Sequence, residues 1–250
     1  MKNKNFYNVV NKTKLIDVFK KNKVMMNTYF GQLPSATGLY LDFTKQDTFN
    51  ELVNASPWVA SEKHTDFTLY RRDNNFTQVL SADGTTLSTT GTTSQDRYGL
   101  AITGSSTLGN KYMCEANFQL NWTGQPVESK NRTLLSFFIG DDPNAGDHTR
   151  VNVIANNGST TISIEAITQE GSTSRTPLAS TEFAPNTVKK LQLKYDLTNH
   201  TIEMVLDDNS LGVFAFYGGS LGYTTIAGTS SASYKPSTNL LIKDIKIEEV

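Results

Sequence analysis

Short runs that alternate apolar and polar residues fill the chain from Leu39 to its end. In the last run, Ile245 and Ile247 fall on one side while Asp244 and Lys246 fall on the other, which is typical of a half-buried β-strand. The segment Leu39–Phe43 opens the region in the same way. We therefore predict that the first and last strands of this region pair.

Twelve strands are predicted in all. Turn signals rich in Gly, Asn and Asp separate them, and Asn157-Gly158 between two alternating runs predicts a tight hairpin. Because no helical segment lies between the strands, the pattern favours an all-β, two-sheet jelly-roll sandwich. The predicted strands are 39–43, 67–71, 76–80, 97–103, 111–121, 133–139, 149–155, 160–168, 188–195, 200–206, 211–217 and 239–248.

Residues 1–37 differ in kind from the rest. Apolar residues at helical spacing predict a short helix from about Thr13 to Asn27, which Gly31 and Pro34 follow. Residues 1–31 carry seven lysines against Asp17 alone, a net charge of +6. The sequence thus predicts a basic, partly helical attachment arm (1–37), with a frayed, solvated tail as the alternative, before a β-sandwich domain (38–250).

Composition agrees with a water-facing β protein. Hydrophobic residues make up 37% and charged residues 19% of the chain, but 13 Phe and 10 Tyr can still build a large core. The net charge of −1 argues against a nucleic-acid partner. Cys114, the only cysteine, alternates in phase with Tyr112, Ala116 and Phe118, so we expect a buried thiol.

Three segments together resemble a known fold family. The run Lys190–Asp196, the turn Leu197–His200 and the run Thr201–Asp208 resemble the late hairpin of concanavalin A-like (laminin G-like) jelly rolls. The closing run Leu241–Ile247 resembles that family's last strand, and Leu41-Asp42-Phe43 followed by Trp58 is similar to its opening. The resemblance implies a concanavalin A-like fold for residues 39–250.

Catalysis is not expected from the motifs. Retaining glycanases of the resembled superfamily carry a Glu-x-Asp-x-Glu or Glu-x-Asp-x-x-Glu strand that sets two carboxylates about 5 Å apart. This chain has no such strand, and Asp207-Asp208 lies in a turn. We predict no catalytic residue, with a glycan-degrading enzyme of the same fold (glycoside hydrolase or polysaccharide lyase) as the alternative.

One loop has the composition of a cation site. The segment Gly140–Asp147 offers Asp142, Asn144 and Asp147 as hard oxygen ligands around a glycine turn, and calcium takes six to eight such oxygens. Calcium is the one cofactor that the sequence indicates. The alternative is an acidic, solvated turn.

Four aromatic residues are candidates for carbohydrate contact. Trp122 lies at a predicted strand end, while Tyr217, Tyr223 and Tyr234 lie in the Gly/Ser/Thr-rich stretch 217–236, which predicts a long loop. Exposed rings of this kind can stack on sugars. The alternative is that each ring belongs to the core or to a sheet edge, as we expect for Trp58.

These features together predict where the protein is made and what it binds. A sugar-binding type of domain without a secretion signal, a disulfide or an 18-residue apolar stretch fits a tailed-phage virion protein, made in the host cytoplasm and released by lysis. We expect the arm to attach to the virion (fibre or baseplate) and the sandwich to bind a host surface glycan, as a homo-oligomer with a trimer favoured. The alternatives are a purely structural decoration protein and a cytoplasmic lectin.

Overall fold

Fifteen strands and one short helix make up the part of the chain that the structure describes. The computed structural model describes residues 38–54, 68–71, 76–89, 96–103, 109–123, 132–140, 148–156, 159–167, 175–215, 223–230 and 237–250. These residues all belong to one unit, Thr37–Val250. The arm, residues 1–37, and its predicted helix lie outside the described residues, so the division into arm and domain stays a prediction.

The elements follow one another with few residues between them. In chain order they are β1 (Gly38–Asp42), α1 (Gln46–Asn54), β2 (Thr68–Arg71), β3 (Phe76–Ser81), β4 (Gly84–Thr89), β5 (Asp96–Thr103), β6 (Lys111–Thr123), β7 (Arg132–Gly140), β8 (His148–Asn156), β9 (Ser159–Ile167), β10 (Arg175–Glu182), β11 (Val188–Asp196), β12 (Thr201–Leu206), β13 (Asn209–Ala215), β14 (Tyr223–Ser230) and β15 (Ser237–Glu249).

The strands form two antiparallel sheets. The eight-stranded sheet has the order β13-β12-β11-β6-β15-β4-β3, with β1 also paired to β15. The seven-stranded sheet has the order β10-β9-β8-β7-β14-β5-β2. The two-sheet β-sandwich predicted from the sequence is confirmed. Within the described segments, no helix is long and apolar enough to cross a membrane.

The predicted pairing of the first and last strands is confirmed. β15 lies beside β6 over almost its whole length, and its other edge pairs first with β4 and then with β1. A bulge between Ile242 and Asp244 marks the change of partner. The bulge also changes which residues face the core, from Leu240 and Ile242 before it to Ile245 and Ile247 after it.

Apolar residues from the inner faces of both sheets meet in one core. Phe118 of the eight-stranded sheet lies 4.8 Å, centroid to centroid, from Phe137 of the seven-stranded sheet, and 6.3 Å from Phe183. Cys114 is buried beside them on β6, as predicted. Alternation along each strand thus encodes which face is buried.

The sequence analysis missed three strands and the helix. The strands β4, β10 and β14 are rich in Thr, Ser and Gly, and their low hydropathy resembles that of turns. Threonine is β-branched, however, and suits a strand once neighbours supply the hydrogen bonds. The helix α1 has only nine residues; it starts with Asp47 in its first turn and buries Leu52.

Strands pair on either side of two predicted turns. Asn156 pairs with Ser159 across Asn157-Gly158, whose two residues lie outside the described part. Leu206 pairs with Asn209, and Asp207 and Asp208 between them have φ values of 49° and 65°. Positive φ at both central residues is the requirement of a type I′ turn, which Asp tolerates better than most residues.

The Tyr112 hydroxyl gives a prediction about core stability. The Tyr112 ring stacks on Tyr195 at 4.9 Å, but among the described residues its buried hydroxyl meets no hydrogen-bond partner. A buried hydroxyl without a partner costs about 1–3 kcal/mol. We expect Tyr112→Phe to leave the free energy of unfolding in urea unchanged or to raise it by about 1 kcal/mol. Phe118→Leu, the control that removes a buried ring, should lower the free energy of unfolding by at least about 1 kcal/mol. A clear loss for Tyr112→Phe would contradict this reasoning.

Candidate functional site

Most of the predicted site residues lie outside the described part of the chain. Asp142, Asn144 and Asp147 of the calcium loop, and the aromatic residues Tyr217 and Tyr234, belong to this group, as does Trp58. Their assigned roles stay predictions. Among the His, Cys, Asp and Glu residues that the structure describes, no group of three or more is placed to hold a metal ion.

Two predicted site residues lie in strands of different sheets. Trp122 is in β6 of the eight-stranded sheet, where its backbone pairs with Thr238. Tyr223 begins β14, a central strand of the seven-stranded sheet, with Thr103 and Gly140 as backbone partners. The prediction that 217–236 is one long loop is therefore wrong, because 223–230 supplies hydrogen bonds to two neighbouring strands.

The outer face of the seven-stranded sheet has a centre built from small and polar residues. We call this surface the seven-strand outer face, defined by the positions that alternate with the core residues of its strands. One row across it contains Ser163, Asn152, Ser136, Ala227 and Gly99 on five successive strands. Ser136 donates from Oγ to Oδ1 of Asn152 over 2.6 Å, and the two residues are only 9% and 0% exposed.

The next row of the same face gathers residues with more varied chemistry. The register aligns Glu165 of β9, Arg150 of β8, Phe138 of β7, Thr225 of β14 and Tyr70 of β2 across the sheet, with Ala101 of β5 between the last two. One row further along, His148, Gly140 and Tyr223 align. Three aromatic positions, one arginine position and one histidine position thus share a face with the Ser136–Asn152 pair.

The outer face of the eight-stranded sheet is a hydrogen-bonded network. We call it the eight-strand outer face; it contains Tyr40, Glu115, Asn117, Asp244 and their cross-strand neighbours. Gln192 donates to Glu115 over 2.6 Å, and Asn117 donates to Asp244 over 2.7 Å. Farther along, Gln119 donates to Asn121 over 2.6 Å and Asn121 to Asn239 over 2.8 Å. Many polar groups on this face are thus already hydrogen-bonded to the protein's own side chains.

Two carboxylates oppose each other on the eight-strand outer face. Asp42 of β1 pairs in register with Asp244 of β15, and Cβ atoms of opposed residues lie about 5 Å apart. Burial chiefly, then the charges of Glu115 and Asp42, raises the pKa of Asp244 against the lowering effect of the Asn117 hydrogen bond. The Thr44 hydroxyl, donating to Asp42 over 2.6 Å, is the main cause of the lowered pKa of Asp42.

Sequence reasoning missed this carboxylate pair. Asp42 and Asp244 are 202 positions apart, and only the register of β1 on β15 brings them together. The predicted pairing of the two strands was the one available signal. The exposed Tyr40 beside them, 59% exposed, has a raised pKa chiefly through burial of its hydroxyl and then through the charges of Asp244 and Asp42.

Comparison with known proteins identifies the fold. No protein-family model and no curated protein matches the chain. The chain is similar in structure to the carbohydrate recognition domain of Emp47p, with TM-score 0.51, 12% identity, and coverage of 88% of this chain and 100% of that one. It is also similar to the exoplasmic/lumenal domain of VIP36 in its metal-free form, with TM-score 0.51, 11% identity, and coverage of 88% and 94%.

A bacteriophage protein has the same architecture. A conserved carbohydrate esterase of the Shiga toxin-encoding bacteriophage phi24B is similar with TM-score 0.53 and 10% identity, over 84% of this chain and 97% of that one. At these identities the likenesses establish the fold alone. They confirm the lectin-like, concanavalin A-like β-sandwich that the resemblance implied.

The opposed carboxylates give a prediction about pH. A raised folded-state pKa means that Asp244 contributes stability when protonated and loses that contribution as pH rises through its pKa. We expect Asp244→Asn to raise the melting temperature at pH 7 by up to about 2 °C after solvent screening, because the amide oxygen still accepts from Asn117. The gain should shrink as pH falls towards 4.

Asp42→Asn is the matched control. The lowered pKa of Asp42 contributes stability at neutral pH that is lost as pH falls through it, so this variant should lower the melting temperature at pH 7. Scanning calorimetry of both variants at pH 7 and pH 4 makes the comparison. Equal shifts of the same sign would refute the asymmetry between the two carboxylates.

Proposed function

We propose that this protein is a non-catalytic carbohydrate-binding protein whose ligand lies on the seven-strand outer face. The supporting observation is the register that brings Tyr70, Phe138, Arg150 and Tyr223 around the small-residue row of Ser136 and Asn152. Sugar sites combine aromatic surface with a few fixed polar groups, and the backbone register gives this face positions of both kinds. The Ser136–Asn152 hydrogen bond ties β7 to β8 beneath these positions, and both of its side chains are buried.

The other sheet is the weaker candidate for this role. On the eight-strand outer face the amides and carboxylates bind one another, so a ligand must break existing hydrogen bonds to make new ones. The structural likeness to the Emp47p carbohydrate recognition domain supports binding of carbohydrate, and the likeness to a phage carbohydrate esterase supports carbohydrate as the class of partner.

The setting of the protein is part of the proposal. The basic arm (1–37) attaches the sandwich to a phage virion, as a fibre or baseplate component, and the sandwich contacts a host surface glycan. Weak single contacts then add up through multivalent display on a homo-oligomer, of which a trimer is the simplest. The phage origin of one structural neighbour supports this setting.

A hydrolase is the second candidate, and one observation favours it. Asp42 and Asp244 are opposed residues of neighbouring strands, and their pKa values shift in opposite directions, as in pairs of an acid and a nucleophile. Asp244 would act as the acid and Asp42 as the nucleophile. Release of reducing ends from a glycan panel that both Asp42→Asn and Asp244→Asn abolish would establish this function and contradict the non-catalytic proposal.

The calcium loop is a separate proposal. If Asp142, Asn144 and Asp147 hold calcium in the folded state alone, millimolar calcium raises the melting temperature relative to chelator. The triple change of these residues to Ala should remove the shift. An identical melting curve in calcium and in chelator would contradict the proposal.

The binding proposal is tested by a glycan array followed by titration calorimetry. We expect Tyr223→Ala to weaken binding to the best glycan roughly tenfold, since one good aromatic contact is worth about 1 kcal/mol beyond the area it buries. Tyr40→Ala, which removes an exposed ring from the other sheet, is the control and should bind normally. The reverse pattern would move the site to the eight-strand outer face, and no binding to any glycan would refute the proposal.

A further inference from the structure

The eight-strand outer face is divided into a charged half and an uncharged half. The charged half lies where β1, β15, β6, β11 and β12 run side by side; it contains Asp42, Glu115, Lys190, Lys194, Glu203, Asp244, Lys246 and Glu248. Lys243, at the bulge of β15, marks the border. Beyond it, the described outer positions of β3, β4, β15, β6 and β11 carry no charge. We call them the uncharged patch: Thr77, Val79, Ser81, Thr86, Ser88, Gln119, Asn121, Val188, Asn239 and Leu241.

One row of the uncharged patch is apolar at both ends and in the middle. The register aligns Val79, Thr86, Leu241, Gln119 and Val188 on five successive strands. Val79 is 62% exposed and Val188 is 45% exposed, so both present a large apolar side chain to water. Removing apolar surface from water is favourable, and the row therefore favours contact with another surface.

The polar side chains of the uncharged patch are already joined to one another. Gln119 donates to Asn121 over 2.6 Å, and Asn121 donates to Asn239 over 2.8 Å. The Thr77 hydroxyl donates to the backbone oxygen of Ser88. Covering a polar group is costly chiefly when the group loses water without having a partner. Because these groups keep their partners, covering the patch costs less than covering side chains that bind water alone.

A second copy of this chain is the occupant that these properties fit. Packing the patch on the same patch of another copy, about a two-fold axis, opposes two surfaces without charge, so no ion is buried unpaired. The charged half does not fit such a contact, because Lys, Asp and Glu are depleted at the cores of protein interfaces. We propose that the eight-stranded sheet pairs two copies of the protein face to face through the uncharged patch.

The size of the patch sets the strength of the pair. Strand spacings of about 4.8 Å and the rise from Thr77 to Ser81 make the patch about 19 Å wide and about 13 Å long. A stable complex buries about 800 Å² on each partner, which is more than this patch supplies. The dimer is therefore weak, forming at about 100 µM and separating near about 1 µM. The contact is independent of the proposed glycan site, which lies on the other sheet.

Sedimentation velocity of the whole chain, from about 1 µM to about 300 µM, tests the inference. We expect the unaltered chain to change from monomer to dimer over this range. Val79→Lys and Val188→Lys should each weaken the dimer roughly tenfold or more, because the two-fold axis brings the new ammonium into the contact twice. Both valines are exposed, so the melting temperature of each variant should stay within about 2 °C of the unaltered chain.

Val213→Lys is the matched control. Val213 is 64% exposed on the edge strand β13, where it pairs with Glu203 in the charged half of the same face. The same change of side chain at this position leaves the uncharged patch intact. This variant should therefore dimerise as the unaltered chain does.

The other outcomes overturn the inference. One is a chain that stays monomeric throughout the range, and another is a trimer that both patch variants leave intact. Loss of the dimer in Val213→Lys but not in Val79→Lys would place the contact at the β13 edge. Binding of dextran or mannan by a monomeric chain, lost in Val188→Lys, would assign the patch to a neutral glycan. The carbohydrate proposal is tested separately, by the titration of Tyr223→Ala.

Discussion

The pairing of β15 with three partners is the constraint on which the eight-stranded sheet depends. β6 lies along one edge of β15, while β4 and β1 share the other edge end to end. The bulge at Lys243 lets one strand serve both partners and keeps Ile242 and Ile245 in the core. Gly84 is required at the start of β4, because a Cβ there would collide with the carbonyl oxygen of Ile242. The last strand thus fixes the positions of both β1 and the β3–β4 hairpin.

Alternation was enough to predict most strands and the fold class. It identified twelve of the strands within one or two residues of their ends, because Phe118, Leu193 and Ile245 each alternate with polar neighbours. It failed for β4, β10 and β14, where Thr, Ser and Gly carry the strand and burial comes from adjacent strands. Such strands are stabilised by packing against neighbouring strands, and the sequence of one strand alone does not reveal those neighbours.

The candidate site could be predicted less well for the same reason. Tyr223 was recognised as a candidate, but its surroundings follow from the register of β14 between β5 and β7. The opposed pair Asp42–Asp244 and the row through Arg150 likewise join residues far apart in the chain. Motif spacing reports neighbours on one strand, whereas the outer faces of this sandwich combine residues from five to seven strands.

On both outer faces, polar side chains of neighbouring strands bind one another. On the eight-strand outer face, Lys194 holds Glu203, and Asn117 holds Asp244, so charge is balanced within the protein. Ion pairs on an exposed sheet each add little to stability. On the seven-strand outer face, Ser136 and Asn152 likewise bind each other, and both are buried. Where a hydrogen bond between two strands satisfies both side chains, the sheet can bury polar groups without the cost of leaving them unpaired.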